Sequence, residues 1–209
     1  DNSSINVKGK SHPISVFLVQ SLKDKLINNK SLFIGREDEI KVLKKIYNSI
    51  KLNIKKNEFS KINFIGVTAE AGIGKTRLLH EYLKSDKAIS FTLSHASNIS
   101  SKPYFLFISL IKDIFKISEI DSMEITKNKF EDAIKRLIEK NIELKEQIEA
   151  SIPFLGFLIG INYNDDRLKD RDEIHNHIGL ALKTLIKSIS TESNKKGLPY
   201  VIIFDDMHW

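Results

Sequence analysis

The fold of this chain is decided by the stretch from Ala69 to Thr76, which reads AEAGIGKT. An apolar run, INFIGV, precedes it at residues 62–67, and a helical pattern follows over residues 75–83. Glycines spaced before a Lys-Thr pair, between a strand and a helix, are typical of a phosphate-binding loop. The usual first glycine is an alanine here, and many such loops accept it because the critical close approach to a phosphate is nearer Gly74.

The residue types of this loop suit an anionic ligand. Small residues let the backbone wrap closely around a phosphate, so that several N–H groups point inward, and the start of the helix adds its positive end. We expect the Lys75 ammonium to reach the β- and γ-phosphates of a nucleotide and to take part in catalysis, and the Thr76 hydroxyl to ligate Mg²⁺. The predicted nucleotide contacts are Ala71, Gly72, Ile73, Gly74, Lys75, Thr76 and Arg77.

A second apolar run, residues 200–204, ends in Asp205 and Asp206. A buried strand of this kind brings its carboxylates to the carboxyl edge of the sheet, where ligands of open α/β sheets bind. We expect Asp205 to hold Mg²⁺, mostly through water. Asp206 is predicted to orient the attacking water, as a Glu does in many ATPases. Because Asp is one methylene shorter, slow hydrolysis is expected. A helix cap or turn is the alternative role for Asp206.

The rest of the chain alternates strand and helix patterns. Strands without polar alternation, separated by helices, predict a buried parallel sheet in an α/β fold. The apolar segment 152–161 is predicted to be buried. Strands are predicted at 62–67, 88–93 and 200–204, and helices at 38–50, 75–83, 105–115, 130–138 and 174–189.

Composition narrows the classes of partner. The formal net charge is +6, but the excess is lysine spread along the chain, with no arginine cluster and no basic stripe interleaved with aromatic residues. The charge pattern therefore disfavours nucleic acid as a partner. Without cysteine there are no disulfides or thiolate metal sites, and no apolar run reaches the roughly 20 residues of a membrane span. A cytoplasmic location is expected.

Three segments together resemble a known family. They are LFIGRE at residues 32–37, the phosphate-binding loop with the residues that follow it, and IFDDMHW at residues 203–209. In combination they are similar to the regulatory AAA-type ATPase module of signal-transduction ATPases with numerous domains, a P-loop NTPase fold with a parallel sheet flanked by helices. The resemblance implies ATP and Mg²⁺ as cofactors, and adenine-side contacts from Phe33, Ile34, Gly35 and Arg36. It also implies that the chain is the N-terminal part of the module, truncated after the acidic strand and able at most to bind nucleotide.

The beginning of the chain carries a second resemblance. INVKGK at residues 5–10 and PISVF at residues 13–17 resemble the end of a class III adenylate or guanylate cyclase catalytic domain. An ordinary β-turn-β linker is the alternative. The expected organisation is thus a cyclase tail at 1–20, a linker at 21–31 and the ATPase module at 32–209, in a chain cut from a longer one.

Three functions fit these motifs. The first is a slowly hydrolysing, regulatory ATP switch inside a multidomain signalling protein, whose partners are other domains of the parent chain and further copies of itself. The second is an origin-recognition-like AAA-type ATPase acting on DNA, which shares the Gly-Arg-Glu opening and the basic charge. The third is a small-molecule kinase, which the missing arginine-bearing lid disfavours. Each requires ATP and Mg²⁺.

Overall fold

A computed structural model describes residues 2–5, 14–17, 32–56, 64–85, 90–95, 103–170 and 172–205. The chain divides into two compact units, Asp1–Gly35 and Arg36–Trp209. Asp206 and the predicted linker at 21–31 lie outside the described residues.

The first unit contains an antiparallel pair of strands, β1 (Asn2–Ile5) and β2 (Ile14–Phe17). Asn2 lies opposite Phe17, and Ile5 lies opposite Ile14. The apolar residues of segment 14–19 predict the second strand, whereas the polar residues 1–10 predict a turn. That prediction is wrong for Asn2–Ile5, because a polar segment becomes a strand when an apolar neighbour supplies the ladder hydrogen bonds.

The second unit is mostly helical. The predicted helices are confirmed, and their ends lie within a few residues of the expected positions except in α1, α4 and α6, which are longer than the apolar pattern alone indicated. The elements in chain order are α1 (Glu37–Lys55), α2 (Lys75–Lys84), β3 (Ser90–His95), α3 (Phe105–Phe115), α4 (Met123–Lys140), α5 (Lys145–Leu158), α6 (Ile174–Lys195) and β4 (Tyr200–Asp205), with 3-10 turns at Ile142–Leu144 and Asp166–Lys169.

The sheet of this unit is smaller than the sequence predicted. Strands β3 and β4 pair in parallel, with Ser90 opposite Tyr200 and His95 opposite Asp205. The described part of the predicted first strand, residues 64–67, is not a strand, and the Phe64 side chain is 91% exposed. An apolar run becomes a strand only when a neighbouring backbone pairs with it, and no described strand pairs with this one. Strand β4 is also half-buried rather than fully buried.

The larger hydrophobic core lies among α3, α4, α5 and α6. The predicted burial of segment 152–161 is confirmed, since most of its side chains belong to this core. The segment also extends a helix, with Pro153 inside α5, which the sequence did not predict. Among the described residues, no helix combines the length and the apolar character needed to cross a membrane. The fully buried large side chains of this core include Phe130, Ile111, Ile148, Leu155, Ile178 and Leu185.

A smaller core joins α1, α2 and β4. Leu43 and Tyr47 of α1 belong to the same buried cluster as Tyr82 and Leu83 of α2 and Ile203 of β4. This cluster fixes α2 against the strand that ends in the acidic pair, and it therefore positions the site described next.

Candidate phosphate-binding site

The loop before α2 has the backbone shape that its glycines allow. Gly72 and Gly74 have φ angles of 79° and 95°, in the left-handed region that glycine adopts at least cost. Residues 69–74 are exposed, and α2 begins directly after Gly74. The loop therefore presents its backbone to solvent at the start of a helix.

The start of α2 carries no intrinsic cap. No side chain caps it, and its first turn contains no acidic residue. By contrast, α1 has three carboxylates in its first turn, and Ser122 caps α4 by accepting a hydrogen bond from the Ile125 N–H. The first N–H groups of a helix lack intrahelical partners and favour an anion. The start of α2 is therefore suited to an external anion.

Lys75 folds back over its own loop. Its Nζ atom donates to the carbonyl oxygens of Ala69, at 2.9 Å, and Glu70, at 3.0 Å. Within the described part of the chain it forms no ion pair with a carboxylate. The ammonium group is therefore held against the loop by two neutral carbonyl acceptors. A phosphate oxygen can replace them and form a stronger, charge-assisted hydrogen bond.

Thr76 and Asp205 meet although they are 129 positions apart in the chain. The Thr76 hydroxyl donates to Oδ2 of Asp205 across 3.0 Å, and Asp205 is only 6% exposed. The first turn of α2 thus touches the end of β4. Beside this contact, Phe204 packs edge-on against Phe107 of α3, with ring centroids 5.7 Å apart, which ties the strand end to the neighbouring helix.

The pair offers oxygen atoms of the kind that Mg²⁺ prefers. A hydroxyl and a carboxylate are hard ligands, and Mg²⁺ in nucleotide sites is held by one or two carboxylates, phosphates and several waters. Among the described residues, no cluster of three or more His, Cys, Asp or Glu side chains forms a metal cage. The arrangement fits a cation that arrives with a phosphate ligand and retains water.

Arg77 points to a neighbour on its own helix. Its Nε atom lies 3.0 Å from Oε1 of Glu81, and both side chains are largely buried. Glu81 was not among the predicted site residues, although a spacing of four residues on a predicted helix is the signal that indicates such a pair. The predicted nucleotide contact of Arg77 stays a prediction.

The predicted adenine-side residues fall at the division between the two units. Phe33, Ile34 and Gly35 belong to the first unit, and Arg36 opens the second. Ile34 is 80% exposed, and Gly35 and Arg36 have φ angles of 79° and 67°. The Arg36 guanidinium donates to Glu39 at 2.7 Å, and this hydrogen bond lowers the pKa of the Glu39 carboxyl. Their role towards adenine stays a prediction.

The class of protein follows from comparison with known families. The sequence profile of the AAA ATPase domain matches residues 32–209, and the chain belongs to this family. AAA ATPase domains are P-loop proteins of α/β fold, which supports the coarse fold class predicted from the sequence. They generally bind ATP with Mg²⁺.

A curated relative adds the context of a larger protein. The chain is 26% identical over 171 residues to "Hybrid signal transduction histidine kinase G" of Dictyostelium discoideum. The similarity covers 81% of this chain, and the chain spans about 5% of the length of that relative. No solved structure matches the chain. A similar domain therefore occurs within a multidomain signalling protein.

Proposed function

We propose that this chain binds ATP with Mg²⁺ through the loop before α2, and that in its full-length, multidomain signalling parent this site serves as a slowly hydrolysing nucleotide switch. The observation that carries the proposal is the 3.0 Å contact between the Thr76 hydroxyl and the Asp205 carboxylate. It unites the end of the phosphate-binding loop with the acidic strand, and neither segment alone defines a metal–nucleotide site.

Each residue of the site has a distinct task in this proposal. The exposed loop N–H groups and the uncapped start of α2 bind the phosphates. Lys75 exchanges the carbonyls of Ala69 and Glu70 for phosphate oxygens. Thr76 and Asp205 hold Mg²⁺, directly and through water. The metal, when bound, neutralises charge that develops on the phosphate oxygens.

Hydrolysis rests on fewer groups than binding. In phosphoryl transfer the protein mainly positions the reactants and stabilises charge. Asp206 follows the metal-binding carboxylate and is the proposed residue that orients water. Its side chain is shorter than that of Glu, so we propose a slow turnover that leaves the nucleotide state to persist as a signal.

The switch role is supported by the family and by the relative. The similarity to this chain covers about 5% of the length of that signalling protein, and a domain that is so small a part of a larger chain is suited to controlling the other domains. We propose the same arrangement here. The β1–β2 hairpin is the position at which a preceding cyclase catalytic domain would end, and this linkage is a proposal that rests on the residue pattern.

Calorimetry tests the binding proposal. The chain is titrated with Mg²⁺-ATP and Mg²⁺-ADP beside Lys75→Ala and a matched control, Lys84→Ala, which removes an exposed lysine from the other end of α2. A hydrogen bond to a charged group contributes about 1.5–3 kcal/mol, so Lys75→Ala is expected to weaken binding by about 10- to 150-fold. Lys84→Ala should bind as the natural chain does.

Two results would overturn the proposal. One is equal affinity of the natural chain and Lys75→Ala, and the other is no binding by the natural chain. The switch itself is tested in the full-length parent, where Lys75→Ala should abolish the dependence of signalling output on ATP. An unchanged dependence on ATP refutes the switch and leaves nucleotide binding standing.

A further inference from the structure

A run of lysines without acidic residues follows the first turn of α1 and ends at its C-cap. Residues 40–56 contain six lysines and no Asp or Glu. Of the 33 Lys and Arg residues in the chain, the other 27 equal the 27 Asp and Glu residues. Residues 40–56 thus carry a charge of +6, equal to the net charge of the chain, although the first turn of the same helix adds the carboxylates of Glu37, Asp38 and Glu39. At about 100° per residue, Glu37 and Asp38 lie on the same side of the helix as the lysines.

The six lysines share one side of α1. At about 100° per residue they occupy an arc of about 140° and a length of about 22 Å. Leu43 and Tyr47, the buried residues of α1, lie on the far side, where the helix packs in the smaller core. The lysine face of α1 consists of Lys41, Lys44, Lys45, Lys51 and Lys55, together with Lys56 at the C-cap.

These lysines are mostly free of counter-charges. Lys41 lies 3.0 Å from Asp38, and the other five have no ion-pair partner among the described residues. Helix α4 is the useful contrast, because its basic and acidic residues alternate and Lys127 pairs with Glu131. Beyond its acidic first turn, α1 therefore carries charge of one sign, whereas basic and acidic residues are mixed along α4.

We propose that the lysine face of α1 docks in the major groove of duplex DNA. A helix with its side chains is about 10–12 Å wide, and the major groove of B-DNA is about 12 Å wide. Lysines on the two flanks of the face then reach phosphates on both walls of the groove. The ridge between the flanks carries Asn48 and Leu52, which are exposed. An amide can read adenine, and an apolar side chain can contact the thymine methyl group.

Other anionic partners fit the face less well. A helix that lies in a membrane interface buries its apolar side among the lipids, whereas the apolar side of α1 is already used in the protein core. The major groove of duplex RNA is too deep and narrow for side chains to read. No described aromatic side chain of α1 is exposed on the lysine face, as a stacking surface for single strands requires.

Salt-dependent binding to a duplex of about 20 base pairs tests the proposal, because each neutralised phosphate contributes about −0.9 to the slope of log K against log salt. With about six contacts, affinity should fall about 1,000-fold between about 50 and 200 mM salt. The triple variant Lys44→Gln, Lys45→Gln, Lys51→Gln should lower the slope by about 3. A control with equal loss of charge replaces three exposed lysines elsewhere, by Lys135→Gln, Lys183→Gln and Lys187→Gln.

The outcomes separate the proposal from its alternatives. A reduced slope in the α1 triple variant and an unchanged slope in the control support it. Equal losses in both triple variants would show diffuse charge attraction and overturn it, as would the absence of duplex binding at low salt. Vesicles of phosphatidylserine and phosphatidylcholine run in parallel, and lysine-dependent binding to vesicles without duplex binding would assign the face to membranes instead. Circular dichroism of each variant verifies that the helices are retained.

Discussion

Replacing Thr76 by Val removes the hydroxyl that joins α2 to β4 while leaving the branched shape of the side chain. The hydroxyl donates to Oδ2 of Asp205 at 3.0 Å, and Asp205 is buried. A hydrogen bond to a charged group contributes about 1.5–3 kcal/mol. We therefore expect Thr76→Val to lower the free energy of unfolding by about 1.5–3 kcal/mol.

Urea denaturation of four proteins measures this contact as a double-mutant cycle. The proteins are the natural chain, Thr76→Val, Asp205→Asn and the double variant. Residues in contact should show a coupling energy of about 0.5–3 kcal/mol. Thr76→Ser, which keeps the hydroxyl and loses one methyl group, should cost only about 0.8 kcal/mol. Losses that add within about 0.5 kcal/mol would refute the contact and with it the geometry of the site.

Three further predictions concern the helical part of the molecule. A Cβ atom at Gly156 would lie 2.6 Å from the Tyr163 ring, so Gly156→Ala should lower the free energy of unfolding by about 1–3 kcal/mol, and Tyr163→Leu should relieve much of that loss. Hydrogen bonds from Arg167 lower the pKa of Asp165 from 3.8 to about 2, and the stability they contribute is present above pH 3.8 and is lost as pH falls towards 2. In Asp165→Asn, the free energy of unfolding should therefore fall less steeply as the pH is lowered through this range. An unchanged pH dependence would show that Asp165 does not contribute to it. Ser122→Ala should remove the cap of α4 and lower the free energy of unfolding by about 1 kcal/mol. Ser122→Asp, measured by the same urea denaturation, should retain the cap and show no such loss.

The helices could be predicted well because their signals are local. The carboxylates that mark the start of α1, and the apolar residues that recur along α6, each lie within a short stretch of sequence. The positive φ angles of the loop were implied by Gly72 and Gly74 themselves. Pro153 shows where such reading fails, because a residue that usually interrupts a helix lies inside α5, in a segment whose apolar side chains are buried in the core.

Strands were harder to predict because they depend on partners. Residues 62–67 have the composition of a buried strand, yet the described part does not pair. Asn2–Ile5 has a polar composition and does pair. Hydrogen bonds between strands join residues that are distant in sequence, so composition indicates only whether a segment tolerates a sheet.

The sequence by itself determined that a glycine-rich loop precedes a helix with Lys75 at its start, and that an apolar strand ends in Asp205. These features depend on residue type and short spacing. Only the tertiary structure decided that Thr76 touches Asp205 and that the six lysines of residues 40–56 form one outward face. Both depend on which side of a helix packs against the core, and the burial of Leu43, Tyr47 and Ile203 in one apolar cluster sets that side.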